Sequence, residues 1–257
     1  VQNDLALLLT DLRREGRQQS GLDAALVPPD AAAAYAVAER VTGLLGWATG
    51  GWKIAANKPE MQAALRAAEP IYGRVYAPFI HATPARLEHA RLVHPVCECE
   101  WVARLGADLP TRDMAYSAAE VADAVASLHP AMEVAECRFV ADAAFPPLPA
   151  ILADGAGSGH LVLGEAVPGW RDADIAGQAI TLSTDGQERR QGSAGEAIDH
   201  PLVPLTWLAN ALSRRGLGLR AGDVVSTGTC TGMLLARAGQ RLVGDYGRFG
   251  QIVVEMT

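Results

Sequence analysis

A chain of 257 residues, 49% apolar and 20% charged, has the composition of an ordinary globular protein that can bury a substantial core, which excludes a disordered chain. A formal net charge of −7 argues against a nucleic-acid binder, which needs a basic face for phosphates, but leaves a small anionic ligand open. No apolar run reaches the roughly 18 residues of a membrane span, and Val1-Gln2-Asn3-Asp4-Leu5 lacks the basic start and apolar core of a signal peptide.

Leu5, Leu8, Leu9 and Leu12, set among charged residues, predict a helix over 4–14. Val27-Pro28-Pro29 enforces an extended link. Asp30 then caps a helix from Ala31 to about Leu45, ended by Gly43 and Gly46. Gly50 to Ala55 reads as a turn entering a short strand, and Pro59 stands in the first turn of a helix to Ala68. Residues 70–76 lead into loop and strand, and 95–103 form a strand. Ser117-Ala118-Ala119-Glu120 is a capping box opening a helix to Leu128, before a second strand over 131–140. Pro146-Pro147-Leu148-Pro149 is a rigid link. Strands follow at 161–165 and 179–182, the latter ending in a Thr184-Asp185-Gly186 hairpin turn. His200-Pro201 opens a helix to Arg215, closed by Gly216 and Gly218. Strands return at 223–228, 240–243 and 250–256. Without a regular βα repeat, neither a doubly wound sheet nor a TIM barrel is expected.

The four cysteines, Cys97, Cys99, Cys137 and Cys230, match neither a zinc ribbon nor a redox pair. They read as reduced, buried residues of a cytoplasmic protein.

In Val96-Cys97-Glu98-Cys99-Glu100-Trp101-Val102, a strand puts Glu98 and Glu100 on one face and Cys97, Cys99 and Trp101 on the other. Adjacent anions repel unless a cation or proton lies between them. With Glu133 from the next apolar run, three carboxylates would suit a hard divalent cation; alone, the Glu-x-Glu pair reads as a solvated strand face. Lys53, between Trp52 and Ile54, either reaches out of a surface strand or supplies a cation inside a pocket. The glycine-dense run Asp154 to His160 lacks the context of a dinucleotide loop; it is a turn letting Ser158 and main-chain amides approach a small anion, or a flexible loop. Ser226-Thr227-Gly228-Thr229 suits close approach to a carboxylate, or is a bulge needing glycine. His81 and His89 read as surface residues. No Ser-His-Asp order points to covalent hydrolysis.

Taken together, Gly51-Trp52-Lys53-Ile54, Glu69-Pro70-Ile71-Tyr72-Gly73, Glu98-Cys99-Glu100, Glu133, Ala153-Asp154 with Ser158-Gly159, Leu163-Gly164, His200-Pro201-Leu202 and Leu219-Arg220-Ala221-Gly222-Asp223-Val224-Val225 with Thr227-Gly228 occur in one order along nearly the whole chain. This resembles the hydratase/decarboxylase branch of the fumarylacetoacetate hydrolase superfamily. The resemblance implies an α+β fold, with a small N-terminal, mainly helical region (1–75) and a larger mixed β-sheet or β-roll catalytic domain (76–257).

It also implies Mg²⁺ or Mn²⁺ held by Glu98, Glu100 and Glu133, with Lys53 catalytic and Ser158, Thr227 and Gly228 binding substrate. The activity implied is metal-dependent hydration of a small 2-hydroxy-dienoic or 2-oxo-enoic acid, as in catabolism of aromatic ring-cleavage products. Decarboxylation of a 2-oxo acid of the 4-oxalocrotonate type, C–C hydrolysis of an acylpyruvate, and non-catalytic binding of a 2-oxo acid are alternatives. A homo-oligomer is expected, alone or with a related decarboxylase or hydratase subunit, without nucleic-acid or membrane partners. The chain departs from the pattern at Trp52, where the hydratases carry tyrosine, at Gly155 and at Ile71. The last stands where those enzymes often carry an aspartate that handles protons with the lysine.

Overall fold

The computed structural model describes residues 2–257; Val1 lies outside the described residues. The chain opens with two packed helices, α1 (Gln2–Glu15) and α2 (Ala31–Leu45). Leu5, Leu9 and Leu12 of α1 and Ala34, Val37 and Val41 of α2 are buried at helical spacing. Asp30 Oδ1 accepts the Ala33 N–H at 2.8 Å, and Gly46 closes the helix at φ 66°, where a Cβ would be strained.

Then come β1 (Thr49–Ala55), α3 (Pro59–Leu65), β2 (Ile71–Tyr76) and the short β3 (Ile80–Ala82) and β4 (Ala85–Leu87). A long strand, β5 (Val96–Leu105), is joined through α4 (Ala118–Ala124) to another, β6 (Val125–Ala135). After α5 (Leu148–Ala153) come β7 (His160–Leu163) and the hairpin β8 (Ile180–Thr184) and β9 (Gln187–Gly192). Two helices, α6 (Ala194–Ile198) and α7 (Leu202–Ser213), lead to β10 (Val224–Thr229), β11 (Leu234–Leu235), β12 (Arg241–Asp245) and β13 (Gln251–Met256). The hairpin turn carries positive φ at both Asp185 (51°) and Gly186 (78°), the geometry that matches strand twist.

Several boundaries differ from the sequence reading. The helix opened by the Ser117–Glu120 capping box ends at Ala124, not Leu128, and the strand expected over 131–140 runs from Val125 to Ala135. The cause is tertiary: β6 pairs with the whole of β5, from Val96 opposite Ala135 to Leu105 opposite Val125, and that ladder outweighs local helix propensity. Similarly, α3 stops at Leu65, where Arg66 turns left-handed (φ 55°).

An eight-stranded sheet has the order β2-β1-β10-β5-β6-β7-β3, with β11 added to β5, and a five-stranded sheet the order β4-β13-β12-β8-β9. Sheet pairing thus begins at Thr49, and residue 75 lies within β2.

The larger sheet curls into a roll. Val75 of β2, Val102 of β5, Ala131 of β6, Leu161 and Leu163 of β7 and Val224 of β10 form one buried cluster with Ile80 of β3 against it. Strands from both ends of the order meet there, which a flat sheet forbids. A Cβ on Gly50 of β1 would stand 2.4 Å from Ile80 Cδ1 of β3, so the two ends of the strand order approach each other.

The opposite face of β5 packs on the smaller sheet. Cys97, Cys99 and Trp101 are wholly buried, and a Cβ on Gly244 of β12 would lie 2.7 Å from Cys99 Sγ. The Tyr246 hydroxyl is within 2.8 Å of the Glu100 carbonyl and 2.5 Å of the Ala131 carbonyl, tying the sheets together. All four cysteines are free thiols. No helix among the described residues is long and apolar enough to cross a membrane.

Candidate metal centre

Alternation along β5 sends Glu98 and Glu100 into the roll, because Cys97, Cys99 and Trp101 occupy the intersheet core. The β5–β6 register sets Glu133 directly opposite Glu98. Like charges facing each other across a ladder destabilise it unless something intervenes. Lys53 enters from β1, whose parallel pairing places it beside Ser226 of β10. Three strands, β1, β5 and β6, thereby deliver three carboxylates and one ammonium to one spot, and β10 between β1 and β5 adds the Ser226 hydroxyl.

One oxygen from each of Glu98, Glu100 and Glu133 lies within 4.8 Å of the others. All three glutamates and Lys53 are buried. Glu100 Oε2 accepts from Ser226 Oγ at 2.6 Å and from the Gly228 N–H at 2.8 Å. Lys53 Nζ stands 3.2 Å from Glu133 Oε1 and donates to the Ala156 carbonyl, also at 3.2 Å. Glu133 Oε2 is buried with no hydrogen-bond partner among the described residues.

The charges do not balance. Burial, then the charge of Glu133, pushes the Glu98 carboxyl up to about 7, against the pull of Lys53. Glu100 is raised well above the carboxylate range by burial and by both other glutamates. For Lys53, burial opposes the charge, but the carboxylates, Glu133 foremost, outweigh it and raise the pKa. A buried cluster of oxygen donors short of positive charge, with one oxygen orphaned, fits a hard divalent cation.

The glycine-dense loop after α5 holds the lysine. Gly155, Ala156 and Gly157 all have positive φ (75°, 53° and 74°), which turns the Ala156 carbonyl onto Lys53 Nζ. On β2, Gly73 pairs with Lys53, and a Cβ there would stand 1.9 Å from the Gly155 carbonyl oxygen. Two arginines, Arg138 buried and Arg13 partly so, clamp the loop. Arg138 Nε donates to Asp154 Oδ1 at 2.9 Å, and Arg138 Nη2 to the Ser158 carbonyl at 2.9 Å. Arg13, reaching from α1, donates to the Asp154 carbonyl at 2.5 Å and the Ser158 carbonyl at 3.2 Å.

The other positions singled out in the sequence divide. Gly228 serves the cluster through its N–H. The Thr227 hydroxyl donates to the Trp101 carbonyl at 2.8 Å, and the Ser158 hydroxyl to the Arg74 carbonyl at 2.5 Å, so both are engaged by main chain. Ser226, one residue before Thr227, is the hydroxyl on Glu100; strand alternation from Lys53 would have found it only with the β1–β10 register known. Arg13 and Arg138 carry no local motif. Ile71 lies on β2 opposite Ala55 and is buried, so that position is apolar. His81 is not a free surface residue: its Nε2 lies 2.9 Å from His160 Nδ1 and the rings stack, while His89 is half-buried.

A roll of mixed strands enclosing buried acidic side chains and a lysine defines a class, and the comparisons name it. Residues 59–256 match the family described as fumarylacetoacetate (FAA) hydrolase C-terminal, and the chain belongs to that family. It is 29% identical to a 2-keto-4-pentenoate hydratase of Burkholderia vietnamiensis, over 98% of this chain and 96% of that one. It is 32% identical to a 2-keto-4-pentenoate hydratase of Paraburkholderia phymatum, over 81% and 79% of the two chains. In fold it matches 4-oxalocrotonate decarboxylase from Pseudomonas putida G7, complexed with magnesium and adipate. The TM-score is 0.90 at 20% identity, covering 99% of this chain and 96% of that one.

Proposed function

We propose that the chain is a divalent-metal-dependent lyase that hydrates a small 2-hydroxy-dienoic or 2-oxo-enoic acid. One observation carries the reading: three carboxylates and one ammonium are buried together, with Glu133 Oε2 unpartnered. Glu98, Glu100 and Glu133 would hold Mg²⁺ or Mn²⁺. The bound ion would supply Lewis-acid polarisation of the 2-oxygen and carboxylate of a 2-oxo acid. The hydratase relatives support the substrate class.

The chain's own groups have separable tasks. Ser226 and the Gly228 N–H fix Glu100, leaving its other oxygen for coordination. Lys53, kept charged by the glutamates, presents a proton at Nζ toward negative charge developing on the substrate oxygen. The apolar cluster around Val102, Ala131 and Leu161 seals the inner end of the roll from water. Ile71 favours decarboxylation as the second reading, since that position offers no acid for the proton transfers of hydration.

The test follows ultraviolet absorbance of 2-hydroxypenta-2,4-dienoate with Mg²⁺ and, in parallel, CO₂ from 4-oxalocrotonate. Loss of the dienoate without CO₂ release is expected. CO₂ release alone would establish the decarboxylase, and Mg²⁺-dependent oxalate binding without turnover of either acid would establish a binding protein. Met233 (56% exposed) and Leu235, at the β11 edge, suit contact with another copy of the chain, and the free cysteines suit a reducing cytoplasm.

A further inference from the structure

A cleft of about 500 Å³ opens between residues 57–60 and 196–207. Its inner wall touches β10, whose Gly228 N–H binds Glu100 of β5. Asn57 Nδ2 donates to the Thr227 carbonyl at 3.0 Å, and a Cβ on Gly228 would stand 2.1 Å from Asn57 Nδ2 and 3.4 Å from Ile198 Cγ2. The Gly228 N–H in turn binds Glu100. Gly228 thus stands between Asn57 and Ile198 of the cleft wall and Glu100 of the carboxylate cluster. Pro70, the residue before Ile71, also lines it.

The lining has two characters. Pro59, Val203 and Trp207 give it an apolar surface, and Val203 is left 52% exposed there. Its charged groups are Glu60, Glu196 and Asp199 against Lys58, three carboxylates to one ammonium, all exposed. Asp199 is held in place: φ 62° and ψ −66°, with the His200 N–H donating to the Ile198 carbonyl at 2.8 Å, form a tight three-residue turn that carbon side chains rarely adopt.

We infer that this cleft receives the distal end of the substrate and selects an uncharged tail, so that the chain acts on monocarboxylic rather than dicarboxylic 2-oxo acids. The inference rests on the proposed function, in which the 2-oxo acid head lies at Glu98, Glu100, Glu133 and Lys53. A vinyl or alkyl tail leaves water for the Val203 and Trp207 surface. A second carboxylate would shed water against that surface and meet an excess of like charge.

Calorimetric titration with Mg²⁺ present compares three ligands: oxalate (the head alone), 2-oxopentanoate and 2-oxoheptanedioate. Oxalate is expected to bind, and 2-oxopentanoate to bind roughly tenfold more tightly than the diacid at low salt, with a smaller margin at about 0.5 M salt because exposed charges are screened. Neutralising the rim with Glu60→Gln, Glu196→Gln and Asp199→Asn together should narrow the margin to about twofold, and asparagine tolerates the positive φ. If the diacid binds as tightly as the monoacid while oxalate still binds, the inference falls and the site stands. An unchanged margin in the triple variant, with oxalate binding intact, also overturns it. If oxalate fails to bind, the proposed function and the inference are both rejected.

Discussion

Lys53 Nζ lies 3.2 Å from Glu133 Oε1 with both side chains about 4% exposed, yet this buried pair does not close its own electrostatics. Glu98 and Glu100 face the same ammonium, and Glu133 Oε2 has no partner. An ion pair built for stability would be matched one to one and fully hydrogen-bonded. This one is short of positive charge, which separates the effects of its members on stability, metal affinity and turnover.

Lys53→Met keeps side-chain bulk and removes the charge. Breaking a buried pair costs about 3–5 kcal/mol, so the metal-free protein should melt at a lower temperature. Mg²⁺ affinity by calorimetry should persist, because no oxygen ligand is lost. Turnover of 2-hydroxypenta-2,4-dienoate should fall about 100-fold or more. Wild-type turnover in this variant would remove Lys53 from the chemistry.

Glu98→Gln and Glu133→Gln should both weaken Mg²⁺ by tenfold or more, as each loses an anionic ligand. Their effects on the metal-free protein should have opposite signs. Glu98 is pushed up to about 7 by burial and by Glu133, so replacing it relieves repulsion and raises the melting temperature in a chelator. Glu133→Gln strips Lys53 of its nearest anion and lowers it. Equal shifts in both variants would reject this charge assignment.

How much of this was legible in the chain follows the range of each interaction. The Asp30 cap, the Ser117–Glu120 box and the Asp185-Gly186 turn are local, and the residues involved show them. That Glu98 and Glu100 share a face was legible because strand side chains alternate with a period of two, whereas the place of Glu133 opposite Glu98 depends on the β5–β6 register. The start of β6 at Val125 was not, since its cause is a ladder with β5. Nor was the choice of Ser226 over Thr227 as the partner of Glu100, a contact spanning 126 positions. The clamp of Arg13 on the Asp154 loop spans 141 positions, and nothing around Arg13 distinguishes it from an exposed helix residue. Whether Lys53 was exposed or enclosed turned on the curl of the sheet, which no single strand encodes.

Gly73→Ala tests that loop. The added Cβ, fixed rigidly to the β2 backbone, would meet the main-chain carbonyl oxygen of Gly155 at 1.9 Å, so the loop must move. Displacing it withdraws the Ala156 carbonyl from Lys53. Stability should drop by about 1–3 kcal/mol, as for overpacking elsewhere. Turnover should fall while Mg²⁺ still binds, because none of the three carboxylates is on the loop. Full activity with unchanged stability would show that the loop does not position the lysine.

The pH response of metal binding provides the last test. Glu98 titrates near 7 in the folded chain, against an ordinary value of 4.5. Between those values the folded state keeps a proton that the unfolded state releases, so this group's contribution to metal-free stability is largest below 4.5 and declines as pH rises to 7. Mg²⁺ needs the carboxylate, so its affinity should rise with pH over the same interval and level off above it. Thermal unfolding from about pH 5.5 to 8, with chelator and with Mg²⁺, should give two curves that diverge as pH rises. In Glu98→Gln the divergence should become shallower, since one proton that competes with the ion is gone while Glu100, also raised, keeps its own. Parallel curves in the wild-type chain would mean that no proton leaves Glu98 on binding, and the cation site would have to be sought elsewhere.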